Sequence, residues 1–181
     1  MLTTSSSTPT PTNGSDSPVC GGQERPGKPA APPTLLEQVR SGRVWLVKGM
    51  GSHGLLLEKT HIVELLEFGA AVGLAIDRDC RAVLPIGHVY LQAPATFLER
   101  QWGYRRRGHS AEIMQKLTEA YPSRRRAVLL WQHLYQRFSP ASLASVPDEW
   151  LGRLVGVSED LIQHCRQTGG LEAMSTPEGN R

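Results

Sequence analysis

Cysteine is scarce in this chain. The 181 residues hold three, Cys20, Cys80 and Cys165, an odd number, far apart and in no CxxC spacing. A disulfide framework, a zinc site and an iron–sulfur cluster are therefore not expected, and the compartment should be reducing. Nowhere do about 20 apolar residues run together, and no apolar stretch of about 7–15 residues follows a basic start, so neither a membrane span nor a secretory signal is read. A soluble, cytoplasmic protein is the expectation. The patterns GxxxxGK[ST], HExxH and GxSxG are missing, and the six histidines are scattered. The sequence thus supports no enzyme, metal or cofactor.

Residues 1–34 are almost wholly Ser, Thr, Pro, Gly, Asn and charge. Such a segment buries too little apolar surface to offset the entropy of ordering, so it reads as a disordered tail, as do residues 175–181. Net charge is only +3, but it is unevenly spread. Between Phe97 and Phe138 nine Lys and Arg face three Glu, enough for a polyanion footprint, although a solvated helix face would carry the same count.

The pattern between the tails predicts an α+β fold. A short helical turn at 35–40 precedes a strand at VWLV (44–47) and a glycine-rich turn, KGMGSHG. LLLEKTHIVELLEFG (55–69) is ambiguous, since Leu57, Ile62, Leu65 and Leu66 suit a helix face while Thr60 to Val63 favour a strand. Two short strands are read around Pro85 to Gly87. Thr96 can cap a helix from Phe97 that Gly103 and Gly108 weaken and could break. A cleaner helix starts at Ser110 and stops at Pro122. Another, 123–138, carries Val128, Trp131, Leu134, Tyr135 and Phe138 on one face.

Two local patterns suggest sites. GMGSHG (49–54) satisfies GxGxxG after a strand, with Asp77 at a suitable distance for a dinucleotide ribose, but such a site needs a helix after the glycines and then a buried strand ending in the acid, and IDRDCR is polar and loop-like, so a hairpin turn is the simpler reading. Residues 147–168 read as a helix-turn-helix. Pro147 and two acids start one helix, Gly156 supplies the turn, Ser158 caps the next, and Leu151, Leu154, Val157, Ile162 and Cys165 face inward. An ordinary helical hairpin is the alternative, favoured by charge: between Ala141 and Leu171 four acids oppose two arginines.

In their order these pieces resemble the Crp/Fnr family of transcription regulators. The resemblance rests on SGRVWLV, EFGAAVGLAIDRDCRAV, HVYLQAPATFLERQ, RRRAVLLWQHLYQRF and VPDEWLGRLVGVSEDLIQHCRQTGGL, which together span residues 41–171. It implies a shortened β-roll sensor-like domain over 35–96, a dimerisation helix region over 97–122 and a winged helix-turn-helix over 123–174. It makes 55–69 β and the GMGSHG turn a hairpin. The implied partners are double-stranded DNA, a second copy of the chain through Ile113, Met114 and Leu117, and RNA polymerase.

Carried over residue by residue, Arg78 stands at the phosphate-binding arginine of the ligand cassette. Asp79 follows where a Ser or Thr would donate, and Ala70 or Ala71 replaces the ribose-binding Glu. A carboxylate beside a phosphate is repulsive, so cyclic nucleotide is not the expected effector. On the recognition helix Ser158 matches a phosphate contact, while Glu159, Asp160 and His164 stand at the base-reading positions. Arg124, Arg125 and Arg126 are expected near phosphates. The acidic recognition helix, a wing reduced to residues 172–174 and the shortened roll also suit a second reading, a degenerate family member acting as a protein-interaction or heterodimer partner without its own DNA specificity.

Overall fold

The computed structural model describes residues 33–50 and 52–168. Both expected tails, apart from residues 33 and 34, and the wing lie outside them. The elements are helix α1 (Leu35–Arg40), strands β1 (Val44–Gly49), β2 (Gly54–Glu58), β3 (Val63–Glu67) and β4 (Ala71–Gly73), a 3-10 turn (Ala75–Asp77), and strands β5 (Ala82–Ile86) and β6 (Val89–Gln92). Helices α2 (Phe97–Thr118), α3 (Ser123–Arg137), α4 (Pro140–Leu143), α5 (Asp148–Val155) and α6 (Glu159–Gln167) follow. The class is α+β. Thr34, which composition assigns to the tail, is the N-cap of α1: its hydroxyl accepts from the Glu37 N–H, and the Glu37 carboxylate accepts from the Thr34 N–H.

The strands form two antiparallel three-stranded sheets, ordered β4-β1-β6 and β3-β2-β5. The strands within 55–69 are those of a β hairpin, as the resemblance implied: β2 pairs with β3, and the loop between them is closed by the Lys59 N–H donating to the Ile62 carbonyl at 2.9 Å. The GMGSHG segment is not a hairpin. It joins β1 to β2, which belong to different sheets, and so carries the chain from one layer to the next. Nor does a helix follow it, and a Cβ on Gly49 would sit 2.0 Å from the His88 carbonyl oxygen. This glycine lets backbones approach each other, and the dinucleotide reading loses its structural context.

Sheet β3-β2-β5 is buried on both faces. Leu55, Leu57 and Leu66 join Val47 and Val72 of the other sheet in one core, with Val39 of α1. Leu56, Val63, Leu65 and Ile86 join Val128, Trp131 and Leu134 of α3, Leu151 of α5 and Ile162 of α6 in the second. A fully buried Leu contributes roughly 1.5–3 kcal/mol through the hydrophobic effect, so β2 helps to hold both cores together. Pro85 fits because β5 is an edge strand, where a missing N–H costs no ladder bond.

Helix α2 runs unbroken through Gly103 and Gly108, contrary to the expected weakness there. The reason at Gly103 is packing: a Cβ would lie 2.5 Å from Leu46 Cδ2 and 3.1 Å from Ala71 Cβ, so only glycine lets the helix lie this close to β1 and β4. Further along α2, Met114 and Leu117, expected to face a second copy, are partly buried and pack against this chain's own core, and Ile113 is half-buried. Val128, Trp131 and Leu134 on α3 and Phe138 at its C-cap are buried as expected, while Tyr135 is 39% exposed and stacks on Trp131, ring centroids 5.2 Å apart.

Candidate nucleic-acid interface

Helices α3, α5 and α6 build the best-defined polar face. The chain leaves α5 through Gly156, whose φ of 65° is the left-handed conformation that ends a helix sharply. The Val157 N–H then returns to the Gly152 carbonyl at 2.9 Å. Gly152 is needed as well, since a Cβ there would approach the Val157 carbonyl oxygen to 2.7 Å. The angle between α5 and α6 is locked from within by Leu151, Leu154, Ile162 and Cys165, all buried. Trp131 donates its indole N–H to the Ile162 carbonyl at 3.3 Å. Arg166 ties the far end of α6 to Asp148 at 2.6 Å and to the Val146 carbonyl at 2.7 Å, with its guanidinium 5.1 Å from the Trp131 ring centroid.

With those groups turned inward, Ser158, Glu159, Asp160, Gln163, His164 and Gln167 are exposed together on the outer face of α6. Ser158 is the N-cap by backbone geometry, but its side chain makes no capping hydrogen bond. Glu159 and Asp160 occupy the first turn, where the partial positive charge of the helix N-terminus favours carboxylates. Four of the residues singled out by sequence are therefore brought onto one surface.

The three arginines at the start of α3 have different surroundings. Arg125 is exposed and Arg124 is half-buried. Arg126 donates to the carbonyls of Val155, Gly156 and Ala120 at 3.1, 3.0 and 3.3 Å, and so caps the C-terminus of α5 beside the turn that leads to Ser158. Arg78 and Asp79 are not part of this face. Both are exposed after the 3-10 turn, with Arg78 near Gly42 at the start of β1.

The neighbouring Asp77 is wholly buried, and around it lies a charge cluster the sequence reading missed. Arg107 of α2 donates to both Asp77 oxygens at 2.7 and 2.8 Å and to Glu64 at 2.7 Å; Lys59 lies 3.0 Å from Asp77 and 2.8 Å from Glu64. The Gly73 N–H completes the site at 2.6 Å from Asp77. Burial pushes the Asp77 pKa up, but the hydrogen bonds and charge of Arg107 outweigh it and hold the carboxyl below its usual range. For Lys59, burial is outweighed by Glu64 and Asp77, and its pKa is raised. Two cations and two anions thus neutralise each other. A readable signal existed: Gly103, Arg107, Ser110, Met114 and Leu117 fall on one helical stripe, which places Arg107 inward.

A groove of about 550 Å³ lies between β3, α2 and α5, walled by Val63, Met114 and Leu154 with Arg126 and Arg153 at its polar side. Arg153 bonds Glu58 and also donates to the Lys59 carbonyl at 3.3 Å, tying α5 to the β2–β3 hairpin. Cys80 and Cys165 are both buried; burial, followed by the Asp77 charge, pushes the Cys80 thiol up to about 11, and burial raises Cys165. Such thiols are poor nucleophiles. Among the described residues no group of three or more His, Cys, Asp or Glu is placed to hold a metal ion, and no helix is long and apolar enough to cross a membrane. Neither a family model, nor a curated protein, nor a solved structure matches the chain.

Proposed function

We propose that the chain is a sequence-specific DNA-binding transcription regulator of the Crp/Fnr type, combining a shortened β-roll with a winged helix-turn-helix. The observation that carries this reading is the α5–Gly156–α6 unit. Its inner side is fixed by buried side chains, and its outer side presents Ser158, Glu159, Asp160, Gln163 and His164 to solvent on a helix free to enter a major groove. His164 can donate to guanine, Gln163 can pair with adenine, and the carboxylates can accept from cytosine N4. Arg125 supplies a phosphate contact, while Arg126 sets the turn that aims the helix. No covalent step is involved; the event is binding, by a two-fold dimer that reads two half-sites. Cyclic nucleotide is not the effector in this reading, because Asp77, Arg107, Lys59 and Glu64 are already satisfied by one another and Asp79 stands next to Arg78.

The exposed Glu159 and Asp160 favour a second reading, in which α6 binds a protein and the chain has no DNA specificity of its own. Selection of bound sequences from a random duplex pool by the purified protein separates the two. An enriched motif with two-fold symmetry is expected. A pool without enrichment at low salt would overturn the DNA-reading proposal in favour of the protein-binding one.

A further inference from the structure

A second polar and aromatic surface lies on the first half of α2 and the adjoining ends of β1 and β3, away from the residues of α6. Trp102 and Phe68 remain 55% and 44% exposed, although burying each would be favourable by a few kcal/mol. Each carries cations. Arg105 lies 5.7 Å from the Trp102 ring centroid, while Lys48 and Arg106 lie 5.3 and 6.0 Å from that of Phe68. The two aromatics line one recess of about 180 Å³, floored by Gly103 and Gly69, with Lys48 and Arg106 in its walls. Trp102 also borders a second recess of about 80 Å³, with Leu98, Gln101 and Arg105. The indole is thus a wall shared by two concavities.

This constellation selects among possible occupants. A second copy of the chain on the same patch would set Arg105 and Arg106 against their own counterparts, a like-charge contact that opposes association. An anionic membrane would suit a continuous apolar ridge better than rings separated by cations and recesses. A flexible strand with flat, apolar bases and a phosphate backbone satisfies both the rings and the charges. Glu99, the one carboxylate in the recess wall, already accepts from the Ala95 N–H at 2.7 Å and so is directed to the helix start.

We infer that this surface binds single-stranded nucleic acid, with a base stacked against Trp102, a neighbour against Phe68, and Lys48, Arg105 and Arg106 on the phosphates. The site is independent of the duplex-reading proposal for α6.

The test is fluorescence anisotropy of a labelled oligodeoxythymidylate of about 16 nucleotides, titrated with the full chain at low salt. Binding is expected, weakened about tenfold by Trp102→Ala or Phe68→Ala, largely kept in Trp102→Phe, and reduced with a flatter salt dependence in Arg105→Ala. His164→Ala on α6 should leave it unchanged. Melting curves check that the exposed-site variants remain folded, and Trp102→Phe and Arg105→Ala carry the test if an alanine variant does not. Absence of binding by the wild type overturns the inference. So does alanine binding as tight as wild type with only the arginine variant weakened, since the surface would then be a cation patch without stacking. Light scattering that shows Trp102→Ala dissociating an oligomer, with oligonucleotide binding intact, would assign the face to a second copy. Capture by phosphatidylserine vesicles without oligonucleotide binding would assign it to a membrane.

Discussion

Arg107 and Asp77 meet through two hydrogen bonds, 2.7 and 2.8 Å long, with the carboxylate wholly out of solvent. Thirty residues separate them in sequence, and the contact fixes the middle of α2 to the turn that follows β4. Glu64 on β3 and Lys59 in the β2–β3 loop complete a set in which every charge has a partner of opposite sign.

Removing Arg107 leaves two carboxylates with only Lys59 between them. Arg107→Met should therefore lower unfolding free energy by about 3–5 kcal/mol in urea titrations. Arg107→Lys should recover little, because an ammonium cannot reproduce the fork that spans both Asp77 oxygens. A loss below about 1 kcal/mol for Arg107→Met would show that the cluster contributes no specific support.

Stability should be greatest at intermediate pH. The Asp77 carboxyl is held low, and so is that of Glu67, by its hydrogen bond to His133 and by Arg137. Each adds stability above its ordinary pKa, near 4, that is lost as pH falls through the lowered folded value. Lys59 and the buried thiols are raised, so their contribution is complete below their ordinary values and lost as pH rises through the folded ones. For Cys80 that window runs from the ordinary 9.0 to about 11. Melting temperature against pH should thus fall on both sides, and Asp77→Asn should flatten the acid side.

The two glycines around the α5–α6 turn should respond differently. Gly156→Ala meets open space, and its cost is that of a left-handed conformation, about 1–2 kcal/mol. Gly152→Ala drives a Cβ into the Val157 backbone, so α6 must shift. In addition to a loss of about 1–3 kcal/mol, Gly152→Ala should change the fluorescence of Trp131, which hydrogen-bonds α6. Unchanged emission would mean that α6 had not moved.

Arg125 and Arg126, adjacent in sequence, should separate binding from folding. Arg125→Ala should change stability by less than about 0.5 kcal/mol while lowering the salt slope of duplex binding by about 0.9. Arg126→Ala removes two hydrogen bonds to carbonyls at the α5 terminus and a third to the Ala120 carbonyl between α2 and α3, and should cost more than about 1 kcal/mol. Binding measured at several salt concentrations, beside denaturation curves, checks both.

Cys80 and Cys165 should resist thiol reagents in the native state. In a Cys20→Ser chain, a colorimetric disulfide reagent should titrate almost nothing before denaturation and two thiols after it. Rapid reaction without denaturant would contradict the packing around both.

The helices were legible where a helix has one buried stripe. Val128, Trp131, Leu134 and Phe138 mark α3 by spacing alone, and Pro147, Gly156 and Ser158 mark the limits of α5 and α6. Strand β2 was ambiguous because Leu55, Leu56 and Leu57 are all buried, two toward one core and one toward the other, which erases the alternation of a half-exposed strand. Sequence could not show that the segments on either side of GMGSHG join different sheets, since pairing partners are set by distant strands. The outer face of α6 followed from its periodicity. The role of Arg126 did not, because its three acceptors are backbone carbonyls and carbonyls leave no trace in residue identity.

Leu56 and Leu65 of the sheet share their core with Trp131, Leu151 and Ile162 of the helices. A helical unit cut out on its own would therefore expose the apolar side that the sheet now covers, and the sheet would lose its lid. The α5–α6 unit cannot be transplanted as an autonomous module. Substitutions at Leu56 should accordingly shift α6 without touching it, and selection acting on one layer constrains the other.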